Sequence, residues 1–320
     1  MAKRIEWIDV AKGLLIFLVI LGHSDIHNIT ATIINSFHMA AFFVLSGITY
    51  KSERLTLKEL LIKKFRTLLV PYFIFASIML IYSYLKKIVF GGPFNLLSGL
   101  ISIILPISGQ KTTNVYGLWF FPCLFLAEII IYILLYIQNK TKNIFGVVFG
   151  YIIFCIGSYW LNLWINRVSI ISILPIAVLY IGIGKIAQMK LNVLNNKGIA
   201  LGSVSLIAFL VCVYWNSRVT DYIFDLSSMS LGVLPIYILS GLFGTIFLCS
   251  IAFFISKSKI LESIGKDSMY YYGLHYEFIG VIEKNYSMWG GASVCHIVYF
   301  ENGGFVYKKI GFTLKSEPKN

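Results

Sequence analysis

Three ionisable side chains share one stripe of the first apolar segment: Asp9, Lys12 and His23, in Asp9-Val-Ala-Lys12-Gly-Leu-Leu-Ile-Phe-Leu-Val-Ile-Leu-Gly-His23. Each helical residue turns about 100°, so the interval from Lys12 to His23 returns to nearly the same face roughly 16 Å along the axis. Asp9 joins that face from three residues before Lys12. At membrane depth such groups are costly unless they face the bundle interior or a water-filled cavity. A histidine, with an unperturbed pKa of about 6.5, can take a proton from a hydroxyl group. His38 lies about two turns into the second apolar segment. His23 and His38 in the outer half of adjacent helices would form a pair suited to activating a hydroxyl.

Other residues carry chemistry with alternatives open. Lys63-Lys64-Phe65-Arg66 precedes an apolar run. It reads either as a lipid-headgroup and topology signal or as a clamp for an anionic group such as a nucleotide pyrophosphate. Trp119, in Tyr116-Gly-Leu-Trp119-Phe-Phe-Pro122, reads either as part of an aromatic belt or as a platform for a sugar ring. Glu128, about three turns deeper, is a buried carboxylate whose partner the sequence does not name. His275 and Glu277 sit in the last clear apolar segment, as a buried pair or as pore-lining groups. Ser46 and Gly47 read as packing residues, and His27 and His296 as ordinary loop residues. No two of the His, Asp or Glu residues have a metal-ligand spacing, so no metal is expected.

The elements that must position these groups are membrane helices. The chain of 320 residues is 58% hydrophobic and 13% charged, with mean hydropathy +0.80. That composition excludes a water-soluble globular protein. Apolar runs place spans near 8–24, 30–50, 67–85, 116–138, 144–161, 168–187, 198–216, 231–255 and 268–283. The stretch 94–107 is apolar but short and broken by proline, and reads as re-entrant or interfacial. The expected fold is an all-α polytopic bundle of about nine to ten spans over residues 1–283. Residues 284–320 form a polar tail, read as a truncated or frame-altered end of the same domain. The first span carries Lys12 and no small-residue cleavage site, so it reads as an uncleaved anchor.

A net charge of +13 would suggest nucleic acid in a soluble protein. Here the cations follow the positive-inside rule instead. With the amino terminus cytoplasmic, seventeen Lys and Arg fall in 1–12, 51–66, 139–143, 185–197 and 256–267, and five on the opposite side. Asp9, Lys12 and the 51–66 loop are thus expected at the inner face, and His23, Asp25 and His27 at the outer. The five cysteines show no disulfide or zinc spacing.

On these residues the chain resembles the acyltransferase family 3 integral-membrane acyltransferases, which include bacterial O-acetylases of surface polysaccharides. Asp9…Lys12-Gly13…His23 is similar to the family's first-span Arg/Lys-x10-His motif. Phe37-His38-Met-Ala-Ala-Phe-Phe-Val-Leu-Ser46-Gly47 is similar to its second-span F-H-x-P-x-F-F-x-x-S-G motif. Lys63-x-x-Arg66 before Pro71-Tyr72, and Leu118-Trp119-Phe120, extend the match. Ala40 stands where a proline is frequent, Lys63 replaces an arginine, and the last span or two of the usual ten or so are not visible.

The resemblance implies a bacterial inner-membrane enzyme that moves an acyl group, acetyl first among them, from cytoplasmic acyl-CoA to a sugar hydroxyl. The acceptor would be O-antigen, capsule or exopolysaccharide, or a lipid-linked precursor. Lys12, Lys63 and Arg66 would face the CoA phosphates, with acetyl-CoA as co-substrate and membrane lipids around the bundle. His23 and His38 would serve as base or transient acyl carrier, Asp9 would orient Lys12, and Trp119, Glu128 and His275 would serve the acceptor. The rival readings are a transporter, flippase or polymerase of the same polysaccharide pathway, or an inactive relative. A transporter would show inverted repeats with broken helices, and no internal repeat is evident.

Overall fold

The computed structural model describes residues 5–24, 26–51, 55–91, 95–104, 115–165, 170–191, 193–220 and 223–275, and the backbone of 294–301 and 304–311. Its helices are α1 (Glu6–Gly22), α2 (Asn28–Asn35), α3 (His38–Thr49), α4 (Leu57–Lys64), α5 (Val70–Phe90), α6 (Leu96–Ile104), α7 (Phe120–Thr141), α8 (Ile144–Ile165), α9 (Ile170–Ala187), α10 (Val193–Ser217), α11 (Leu234–Phe254) and α12 (Lys259–Lys266). A further helix, α13, covers 268–275. Among the described residues, seven helical lengths are long and apolar enough to cross a membrane. The protein is an all-α polytopic bundle. In the tail, β1 (Val294–Glu301) and β2 (Gly304–Gly311) pair antiparallel, Val294 opposite Gly311. Asp25, Glu277 and the expected end of the last span lie outside the described residues.

α1 is the central helix. It packs against α12, α11 and α3, and Val10, Ala11, Leu15 and Ile16 are buried. Its contact with α12 is backbone to backbone. A Cβ on Gly13 would run into the Leu261 carbonyl, and one on Gly265 into the Asp9 carbonyl. Small residues permit such close approach between membrane helices. α3 and α9 meet the same way, through Gly47 and Gly184. α13 then follows α1 upward, so that Gly265 lies beside Asp9 and His275 beside His23. Among the described residues, α1 and α13 therefore run in the same direction.

Two expected boundaries are corrected. The loop expected over 51–66 is helical from Leu57. The Thr56 hydroxyl accepts from the Glu59 backbone N–H, and the Glu59 carboxylate accepts from the Thr56 N–H at 2.8 Å, a reciprocal cap that starts α4 despite its charge. The helix runs on to Val89 as 33 residues, with one π-helical turn at Phe65–Leu69. The second expected span, 30–50, is one apolar length broken at Ser36–Phe37, where Phe37 leaves helical geometry with φ −145°. α6, at nine residues, rises about 14 Å, under half the hydrocarbon thickness, and is not a full crossing.

α8 touches α7 and α9 and is otherwise little buried. Its tie to α9 follows from Pro175, which lacks the N–H that the Ile171 carbonyl would otherwise accept. The Ser158 hydroxyl donates to that carbonyl, and Tyr151 donates to the Pro175 carbonyl at 2.7 Å. At the end of α3, Lys185 donates to the Tyr50 carbonyl at 3.2 Å and Gln188 to the Ile48 carbonyl at 2.7 Å, meeting carbonyls that the helix end leaves open.

Candidate active site

The break in the second span shapes the position of His38. His38 opens α3, and its Nδ1 lies 2.9 Å from the Ile34 carbonyl of α2. A carbonyl oxygen only accepts, so Nδ1 carries the hydrogen and Nε2 keeps its lone pair. His23 caps α1 and is exposed to the cavity. Its ring lies 5.0 Å, centroid to centroid, from that of His275. The His275 Nδ1 is 2.6 Å from the Tyr272 carbonyl, which fixes the same tautomer. The Tyr272 hydroxyl in turn donates to the Gly117 carbonyl at 2.6 Å, tying α13 to the turn before α7.

These groups surround a cavity of about 390 Å³. Its walls include His23, His38, Trp119, Tyr272, Asp225 and Ser227. They come from α1, α3, the entry to α7, α13 and the loop between α10 and α11. Trp119 is buried and lines the cavity. His275 touches the site through His23. Among the described residues no three His, Cys, Asp or Glu converge as metal ligands would.

Asp225 is the site residue that sequence reasoning missed. Its Oδ1 accepts from the Ser227 N–H and its Oδ2 from the Ser227 hydroxyl, both at 2.8 Å. Its backbone pairs with Ser230 in both directions, at 3.0 and 2.9 Å. The loop is clamped by buried Asn216, which donates to the Leu231 carbonyl and accepts from the Val233 N–H, each at 2.8 Å. Asp225 lines the same cavity as His23 and His38. The signal in the sequence was a short one, Asp225-Leu-Ser227, an Asx turn like many others.

The remaining expected residues lie elsewhere. Glu128 sits nine residues along α7 from Trp119, roughly 13 Å away, and is buried among protein groups. Its Oε1 accepts from the Ser46 hydroxyl at 2.8 Å, and its Oε2 is paired with Lys64. Ser46, expected only to pack, thus also holds Glu128. Lys63 and Arg66 line an open recess of about 350 Å³ with Glu59, Ile62 and Thr67, on α4 and the π turn. Single π turns inside α-helices often mark functional sites. Lys12 is not in that recess; it pairs with buried Asp9 at 3.9 Å beside α12.

In chemical terms, the cavity offers an imidazole base, a carboxylate to balance an imidazolium and an aromatic wall. That set suits removal of a proton from a bound hydroxyl. The recess offers two cations to an anionic group. A family model described as an acyltransferase domain, acyltransferase family 3, matches residues 5–301. No curated protein and no solved structure matches.

Proposed function

The chain belongs to the acyltransferase family 3 of membrane acyltransferases, and from that premise we propose that it is an O-acetyltransferase of cell-surface glycans. It resides in a bacterial inner membrane with its amino terminus in the cytoplasm. The donor is acetyl-CoA, and the acceptor is a sugar hydroxyl of O-antigen, capsule or exopolysaccharide, or of a lipid-linked precursor. The observation that carries this reading is the cavity that brings His23, His38, Asp225 and Trp119 together.

In this reading the sugar ring rests against Trp119 and turns a hydroxyl toward His23. The hydroxyl oxygen attacks the acyl carbonyl carbon, and the bond from that carbon to the donor sulfur breaks. His23 takes the hydroxyl proton and passes it to the departing sulfur, leaving an ester and a free thiol. His38, with its tautomer fixed by Ile34, is the second imidazole of that exchange. Lys63 and Arg66 hold the donor phosphates at the recess. Lys12 lies apart from that recess and keeps Asp9 compensated within the bundle.

The test is transfer itself. Membranes carrying the wild-type chain receive acetyl-CoA labelled in the acetyl group, together with the lipid-linked oligosaccharide fraction of a host lacking this gene. Label appearing in an alkali-labile ester of the oligosaccharide supports the reading. Label confined to water-soluble acetate, with acceptor present, contradicts it.

A further inference from the structure

We propose that Asp225 is a positioning residue for acyl transfer, the carboxylate whose charge offsets the imidazolium formed when a cavity histidine takes the acceptor proton. The inference rests on the acyltransferase reading above. It concerns a loop about two hundred residues along the chain from His23.

Three observations carry it. First, Asp225 and both histidines line one cavity. Second, the carboxylate is held in place. Ser227 donates one backbone and one side-chain hydrogen bond to its two oxygens, and the loop closes on itself through Ser230 and on the bundle through Asn216. Gly232, with φ +66°, brings the chain back against Asn216, and a Cβ there would strike that side chain. Third, the neighbourhood supplies a reason. The His23 ring lies 5.0 Å from that of His275, and His23 shares the cavity with His38. Charging an imidazole with a second one beside it is unfavourable without a nearby anion. Among the described cavity-lining residues, Asp225 is the carboxylate that can supply it.

Both Asp225 oxygens already accept from Ser227. The carboxylate is thereby held in place, and it acts through the histidines by its fixed charge. A fixed, oriented carboxylate beside a catalytic imidazole stabilises the charged transition state without forming a bond to the substrate.

The test is steady-state kinetics of the full chain in nanodiscs, with labelled acetyl-CoA and the lipid-linked oligosaccharide fraction named above. Asp225→Asn should lower kcat roughly a hundredfold with both KM values near wild type. Asp225→Glu should recover most of that loss, which a merely structural role would not produce. Unchanged kcat in Asp225→Asn overturns the proposal, as does a loss confined to the acceptor KM, which would make Asp225 an acceptor contact. Should Asp225→Asn fail to fold, Ser227→Ala decides. It keeps the carboxylate but frees one oxygen, so a lower kcat at unchanged melting temperature supports the proposal and an unchanged kcat overturns it. Inactive wild type would instead remove the acyltransferase reading itself.

Discussion

The histidine cavity and the basic recess differ in how they are built. The cavity draws its walls from α1, α3, the entry to α7, the α10–α11 loop and α13. His38 is fixed by the Ile34 carbonyl, His275 behind His23 by the Tyr272 carbonyl, and the Asp225 carboxylate by Ser227. The recess is one stretch of helix around a π turn, open to its surroundings, with long flexible cations. Groups that move protons need geometry held to fractions of an ångström. Groups that hold phosphates need charge and reach. The first kind of site is costly to disturb anywhere, whereas the second tolerates loss of a member.

That contrast can be broken by substitution. The largest effect is expected at the cavity, where His38→Ala should lower acyl-transfer kcat by roughly a hundredfold or more. Equal kcat would show that a carbonyl-fixed tautomer has no part in the chemistry. At the recess, Lys63→Ala with Arg66→Ala should raise the donor KM roughly tenfold and leave kcat at saturating acetyl-CoA within about threefold, since charge lost from binding alone is uniform binding. A selective fall in kcat would make the two regions alike.

Glu128 sharpens the comparison, because it belongs to neither region. It joins α7 to α4 and α3 through Lys64 and Ser46. Removing the Glu128 charge leaves the half-buried Lys64 ammonium without its partner, which is destabilising. Glu128→Gln should therefore lower the melting temperature in detergent and raise the donor KM, as α4 loses its anchor, with the acceptor KM unmoved. The smallest effect is expected at Ser158, far from both regions. Ser158→Ala strands the Ile171 carbonyl that Pro175 leaves open, and should cost about 1 kcal/mol of stability with kcat and both KM values unchanged.

What the sequence revealed followed the same division. The inward positions of His23 and His38 were legible because polar groups at membrane depth must face inward, and helical periodicity says which ones share a face; Trp119 stayed open between an aromatic belt and a sugar platform. The partner of Glu128 was not legible. Lys63 and Lys64 are adjacent, and one helical residue is about 100° of rotation, so only the packing of α4 on α7 decides that Lys64 turns inward. The start of α4 at Leu57 has a sequence signature in Thr56-x-x-Glu59, which the reading of 51–66 as a loop did not use. Asp225 could not be found from spacing, because what brings it to the histidines is the clamp of Asn216 and the close packing of the bundle.

The measurement that bears most directly on the central claim is the O-acetyl content of the surface polysaccharide, by proton NMR. The host lacks this gene and carries either the wild-type chain or His23→Ala, at matched levels in the membrane. The account predicts acetyl signals restored by wild type and absent with His23→Ala. Acetyl signals of equal intensity in both would contradict it, because transfer would then proceed without the imidazole around which the cavity is built.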